Sequence, residues 1–121
     1  MDERLQNAYN FSNYRLTLDA TIKVNKLALK NQLIYSKAGG SFVITPELIS
    51  FVYNLEQMGK KSVILLDHKE NPVQIEDIKE FRETISDQYF SALNEYYIKT
   101  VELRKKRSVK SIIGDVDNGA N

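Results

Sequence analysis

The sequence has no cysteine, no tryptophan, a single histidine, two prolines and five glycines in 121 residues. Without cysteine there is no disulfide framework and no thiolate chemistry. A small domain without such staples fits a reducing compartment, and a cytoplasmic setting is expected. No apolar run approaches the ~20 residues needed to span a bilayer. The opening MDERLQNAYNFSNYR is charged from its second residue and holds no apolar h-region, so no signal peptide is expected. Asn10-Phe11-Ser12 matches a glycosylation sequon, which carries no weight without a secretion signal. Charge of one sign is also lacking. Seventeen Lys and Arg face sixteen Asp and Glu, a formal net charge of +1, so no global field draws in nucleic acid or an anionic membrane.

What is present is ordinary globular composition, 42% hydrophobic and 27% charged. That is enough for one domain with a modest core. Residues 1–106 are expected to form a single α+β domain. Residues 107–121, basic and then acidic, read as a flexible tail.

After a weak helical pattern near the N-terminus, Tyr14, Leu16, Leu18, Ala20, Ile22 and Val24 alternate with Arg15, Thr17, Asp19, Thr21 and Lys23. Alternation of period two predicts a half-buried strand, with a helix from Asp19 onward as the competitor. Residues 26–44 have two readings. In one, residues 26–37 are a helix closed by Gly39. In the other, Leu33-Ile34-Tyr35 pairs with Phe42-Val43-Ile44 across Gly39-Gly40 as a hairpin. The helix is favoured, and residues 42–44 are a strand in both.

Thr45-Pro46-Glu47 opens a helix, with Thr45 as cap, Pro46 at the first position and Glu47 at the positive end of the dipole. Its apolar stripe is Leu48, Phe51, Val52, Leu55 and Met58, and Gly59 stops it. Residues 62–66 form a buried strand that returns through residues 67–72 to Val73-Gln74-Ile75. Strands 42–44 and 63–66, joined by a helix, are expected to be parallel neighbours. Asp77 and Glu80 form a capping box for a last helix that runs to about Lys106. The predicted fold is α+β, a small mixed sheet with a hairpin, two or three helices and a long C-terminal helix.

Chemistry-bearing motifs are scarce. His68 follows Asp67 in a turn, with no ligand spacing around it, and reads as an exposed turn residue. SKAGGS lacks the spacing of a P-loop or dinucleotide fingerprint and reads as a turn or helix stop. The strongest charge cluster is Arg104, Lys105, Lys106 and Arg107, with Lys110 nearby. It could contact nucleic acid phosphates. It also suits the negative end of a helix dipole, and Glu102 can pair with Lys106. Tyr89, Phe90, Tyr96 and Tyr97 lie at helical spacing with Ile85, Ala92, Leu93 and Leu103, which favours a packing face over base stacking. An unbroken helix over residues 78–106 would be about 43 Å long, against a radius of gyration of about 14 Å for a domain of this size. Its apolar arc of roughly 200° exceeds what one core needs. Tyr89, Phe90, Tyr96, Tyr97 and Val101 are therefore the candidate protein interface, for self-association or another protein. Arg104, Lys105, Lys106, Arg107 and Lys110 are the possible nucleic acid contacts. No catalytic, cofactor-binding or metal-ligating residue is assigned, and no cofactor is expected.

The segments NYRLTLDATIKVNKLALKNQ and GGSFVITPELISFV, with LLDHKENPVQIEDIKEF and the later ALNEYY and KKRSVKSI, resemble parts of small proteins of T-even-like tailed phages, especially those infecting marine cyanobacteria. The resemblance covers most of residues 11–113. It contains no functional motif and transfers no functional residue. It implies a virion component, an assembly protein or an accessory factor, in the host cytoplasm or the virion. The function expected is non-enzymatic, through protein–protein contacts. The alternative is a small nucleic-acid-binding accessory using the basic cluster.

Overall fold

The computed structural model describes the backbone of residues 2–119 and the side chains of residues 2–107. Its elements, in chain order, are α1 (Glu3–Gln32), β1 (Ile34–Lys37), β2 (Gly40–Val43), α2 (Pro46–Gln57), β3 (Val63–Leu66), β4 (Pro72–Ile75) and α3 (Ile78–Gly119). The fold is α+β with a long C-terminal helix. The chain divides into two compact units: Met1–Leu27 with Glu95–Asn121 (unit 1), and Ala28–Asn94 (unit 2).

Unit 2 holds the core. β1 and β2 pair antiparallel, with Ile34 opposite Val43 and Lys37 opposite Gly40. The connecting pair is Ala38 and Gly39, both at positive φ (52° and 82°). This is the backbone that a two-residue hairpin turn matched to strand twist requires. The hairpin reading of residues 33–44 therefore replaces the favoured helix, which ends at Gln32. The turn sits one residue earlier than Gly39-Gly40. β3 and β4 form the second antiparallel hairpin, with Val63 opposite Ile75 and Leu66 opposite Pro72, as the sequence predicts, but β3 is not the buried strand expected: Leu65 points into the core while Ile64 and Leu66 are exposed, because a two-stranded hairpin has one face against the core and one in water. The expected parallel pairing of strands 42–44 and 63–66 does not occur, because each strand takes its ladder from its own hairpin partner. The two hairpins meet instead just past β3, where the His68 amide donates to the Ser41 carbonyl at 2.7 Å.

The helices of this unit begin as their caps dictate. Thr45 Oγ1 accepts from the Leu48 amide at 3.1 Å, and Pro46 is the first helical residue. Gly59, at φ 81°, follows the end of α2. Asp77 Oδ1 accepts from the Glu80 amide at 3.1 Å, and the Ile78 amide donates to the Lys61 carbonyl at 3.0 Å. The start of α3 is thereby tied to the segment before β3.

Phe42, Ile44, Val52, Leu65, Val73, Ile75, Ile78, Phe81 and Ile85 form one buried cluster, with Leu33, Tyr35, Leu48, Ile49, Leu55, Val63 and Tyr89 packed around it. Phe81 is its hub. Its ring meets Phe42 edge-on at 5.2 Å and Tyr35 at 5.8 Å, geometries that aromatic quadrupoles favour. At the rim the Arg82 guanidinium pairs with the Glu56 carboxylate, joining α3 to α2. That bond raises the Arg82 pKa further.

Unit 1 consists of the first twenty-odd residues of α1 and the later part of α3. Residues 14–24 are helix, which overturns the expected strand. On a helix, residues two apart lie roughly 200° apart, so alternate positions fall on opposite sides. The six alternating apolar residues thus split into Tyr14, Leu18 and Ile22 on one face and Leu16, Ala20 and Val24 on the other. Tyr14, Leu18 and Ile22 are half-buried, while Leu16, Ala20 and Val24 are exposed. α3 continues to Gly119, past the end expected near Lys106. The rest of the expected tail, residues 120 and 121 and the side chains from 108 on, lies outside the described residues.

Candidate protein interface

In unit 1 the two helices lie side by side. Leu18, Ile22 and Asn25 of α1 and Tyr96, Thr100, Leu103, Arg104 and Arg107 of α3 line one groove. The half-buried positions of α1 in this unit include Tyr14, Leu18, Thr21 and Asn25. They follow steps of four and three residues, the repeat of a coiled-coil seam. On α3 the same steps run through Tyr96, Lys99 and Leu103, all half-buried. The seam is poor in large apolar groups and carries Asn25, the kind of polar seam residue that fixes register at a cost in stability. No residue of α1 is fully buried.

The five expected interface residues do not form one surface. Tyr89 packs on the core of unit 2. It meets the ring of Phe90 edge-on at 5.5 Å, and Phe90 itself is exposed. In unit 1, Tyr96 faces the groove with α1. Tyr97 is 63% exposed and its neighbour Ile98 57%, and Val101 is half-buried. The wide apolar arc is therefore divided. α1 covers the side bearing Tyr96 and Leu103, while Tyr97, about 100° further round, and Ile98, beyond the arc, face solvent.

The basic run is divided too. Arg104, Lys105, Lys106 and Arg107 are all exposed, but consecutive helical residues are about 100° apart. Arg104 and Arg107 border the groove, whereas Lys105 and Lys106 fall on other sides of α3. The helix-end explanation for these cations fails, since α3 continues well beyond Arg107. The i,i+4 ion pair found on this stretch joins Lys99 to Glu95 at 3.3 Å. The side chain of Lys110 lies outside the described residues.

His68 is exposed, and it is the backbone amide that bonds to Ser41. Its neighbour Asp67 is the buried polar residue of unit 2. Its carboxylate accepts amides from Asn71 (2.8 Å), Lys69 (3.0 Å) and Ser41 (3.2 Å). These bonds, that from Asn71 foremost, hold its pKa below the usual carboxylate range against the opposing effect of burial. A carboxylate so saturated by backbone donors shapes a turn and has little capacity for proton transfer. Among the described residues no three His, Asp or Glu side chains come together as a metal site. No helix of the described residues is long and apolar enough to cross a membrane.

Sequence reasoning missed the α1 residues of the groove: Leu18 and Ile22 because it placed them in a strand, and Asn25 because it fell at the end of that strand. The four-three spacing from Tyr14 to Asn25 was the available signal. No protein-family model matches the chain, and neither does any curated protein or solved structure.

Proposed function

We propose that the protein is a non-enzymatic structural or assembly protein that works through protein–protein contacts, with the solvent-facing side of α3 as one docking surface. The observation that carries this reading is the exposure of Tyr97 and Ile98, at 63% and 57%, on a helix whose opposite side already rests against α1. An amphipathic helix gains its stability by burying its apolar stripe. Neighbouring Tyr and Ile side chains left in water suit the centre of an interface, where aromatic residues are enriched. The phage-type setting, a virion component or an accessory of infection, rests on the resemblance of the sequence segments.

The test is recovery of partners from extract of the cells that make the protein, using the full chain and Tyr97→Ser/Ile98→Ser. A defined protein retained in constant ratio by the full chain and lost with the double variant is expected. Equal retention by both, or retention of nucleic acid alone, would overturn the reading.

A further inference from the structure

We infer that the groove of unit 1 binds a small anionic amphiphile: a short alkyl chain ending in a carboxylate or a phosphate monoester. This goes beyond the protein-contact reading and does not depend on it, since neither Tyr97 nor Ile98 lines the groove. The groove holds a cavity of about 170 Å³, walled by Leu18 and Ile22 of α1 and by Tyr96 and Leu103 of α3. Thr100 lines it too, with its hydroxyl proton already given to the Tyr96 carbonyl at 2.9 Å. An apolar cavity of roughly 150 Å³ takes up benzene, so the space admits a chain of about six carbons. A standard protein contact covers about 800 Å² on each partner. A hollow of this size fits one small group rather than a docked chain.

Charge selects the head group. Arg104 and Arg107 border the groove, and residues three apart on a helix are neighbours. Both guanidinium groups therefore stand at one end of the apolar wall, where their donors can grip one oxyanion as a fork. Neither arginine is in an ion pair among the described residues: the pairs found are Lys37–Glu80, Arg82–Glu56, Arg82–Glu83 and Lys99–Glu95. The acids of this unit do not supply the missing anion. Glu95 and Glu102 lie roughly 120–180° round α3 from both arginines. Asp2 and Glu3 stand with Arg4 at the start of α1, over 20 Å along the helix from Leu18 at ~1.5 Å per residue. Asp19 does not line the groove. It has Arg15 and Lys23 four residues to either side and Lys26 on the same face of α1. Counting Arg15, Lys26 and Asp19 with the two arginines, the groove side remains cationic. Lys105 and Lys106 fall on other sides of α3.

Hexanoate and hexyl phosphate are titrated into the full chain, with calorimetry for affinity and methyl NMR shifts of Leu18, Ile22 and Leu103 for location. Hexanol, hexylammonium and inorganic phosphate are the controls. Each anion should bind once per chain with a dissociation constant of about 1 mM, ordinary for a ligand of so few atoms, and should move those methyls. The tighter of the two assigns the head group. Every control should bind at least about tenfold more weakly. Arg104→Ala/Arg107→Ala should weaken the anions by about tenfold or more, the scale for losing hydrogen bonds to a charged group, and leave circular dichroism unchanged. Arg104→Lys/Arg107→Lys should recover part of the loss. Lys105→Ala/Lys106→Ala removes the same charge from other sides of α3 and should leave the affinity as it is. Absence of saturable binding by either anion, hexanol binding as tightly as hexanoate, inorganic phosphate binding as tightly as hexyl phosphate, or an equal loss with the lysine variant would each overturn the inference. None of these outcomes bears on whether α3 docks a protein through Tyr97 and Ile98.

Discussion

The Ser41 amide donates to the Asp67 carboxylate at 3.2 Å, and the Ser41 carbonyl accepts from the next amide, that of His68, at 2.7 Å. This exchange links β2 to the end of β3, where no ladder joins the two hairpins. Because the carboxylate bonds to three amides only when folded, its pKa is lower in the folded chain than in the unfolded one. The unfolded form binds the proton more readily, so the stabilisation is fully present above the ordinary carboxylate pKa of about 3.9. It is lost as the pH falls through the depressed folded value. Asp67→Asn should therefore lower the melting temperature at neutral pH, and the gap to wild type should close below that range. Thermal melts from pH 7 to pH 2 check this, and a gap independent of pH would show that the charge of Asp67 is irrelevant.

Gly40 sits against the same carboxylate. It is buried, and a Cβ there would overlap a Val73 methyl and come within 3.3 Å of the Asp67 Cβ. The glycine is needed for close approach of the two hairpins rather than for an unusual φ. Gly40→Ala should destabilise the chain by about 1–3 kcal/mol, the ordinary cost of overpacking. Gly40→Ala/Val73→Ala should lose less than the two single changes added together. Urea denaturation of the four chains measures the coupling.

These contacts also show where the sequence could be read and where it could not. Thr45-Pro46, Gly59 and Asp77 announce helix boundaries by local chemistry, and all three work as their residue types predict. The hairpin of residues 63–75 was likewise legible from two short apolar runs around a polar turn. Residues 14–24 were not. Period-two alternation and a helix with two apolar faces give the same string of letters, and only the partners of each face separate them. The site suffered from the same ambiguity. Tyr96 and Tyr97 are adjacent in sequence and equally aromatic, yet one lines the groove with α1 and the other faces water. That division depends on the position of α1, which the strand reading had removed.

Gln88 was invisible for another reason, since its role depends on two carbonyls more than fifty residues away. Its side-chain amide donates to the Gln32 carbonyl at 2.6 Å and the Ile34 carbonyl at 3.1 Å. It thereby caps the end of α1, where carbonyls lack helical partners. Gln88→Ala should cost about 1–2 kcal/mol, the scale for leaving a partly buried acceptor without its donor. Gln88→Glu should cost more at neutral pH, because a carboxylate then faces two carbonyl oxygens. Chemical denaturation of both variants checks the order, and equal stability of Gln88→Glu and wild type would remove the amide from the account.

The basic run tests the remaining functional class. A segment that binds nucleic acid through phosphates must present several cations to one backbone. On α3 the four consecutive residues Arg104, Lys105, Lys106 and Arg107 are spread around the helix, and Arg104 and Arg107 alone share the groove. Two phosphate contacts give a salt slope of only about −1.8 for duplex DNA, from roughly −0.9 per neutralised phosphate. The expected result is weak binding to duplex or single-stranded DNA at low salt, with a slope no steeper than that. Arg104→Ala/Lys105→Ala/Arg107→Ala should remove no more than that shallow slope. Fluorescence anisotropy across a salt series decides the matter. A slope several times steeper, abolished by the triple variant, would require cations from other elements to join this run in one patch and would place nucleic acid ahead of protein as the partner.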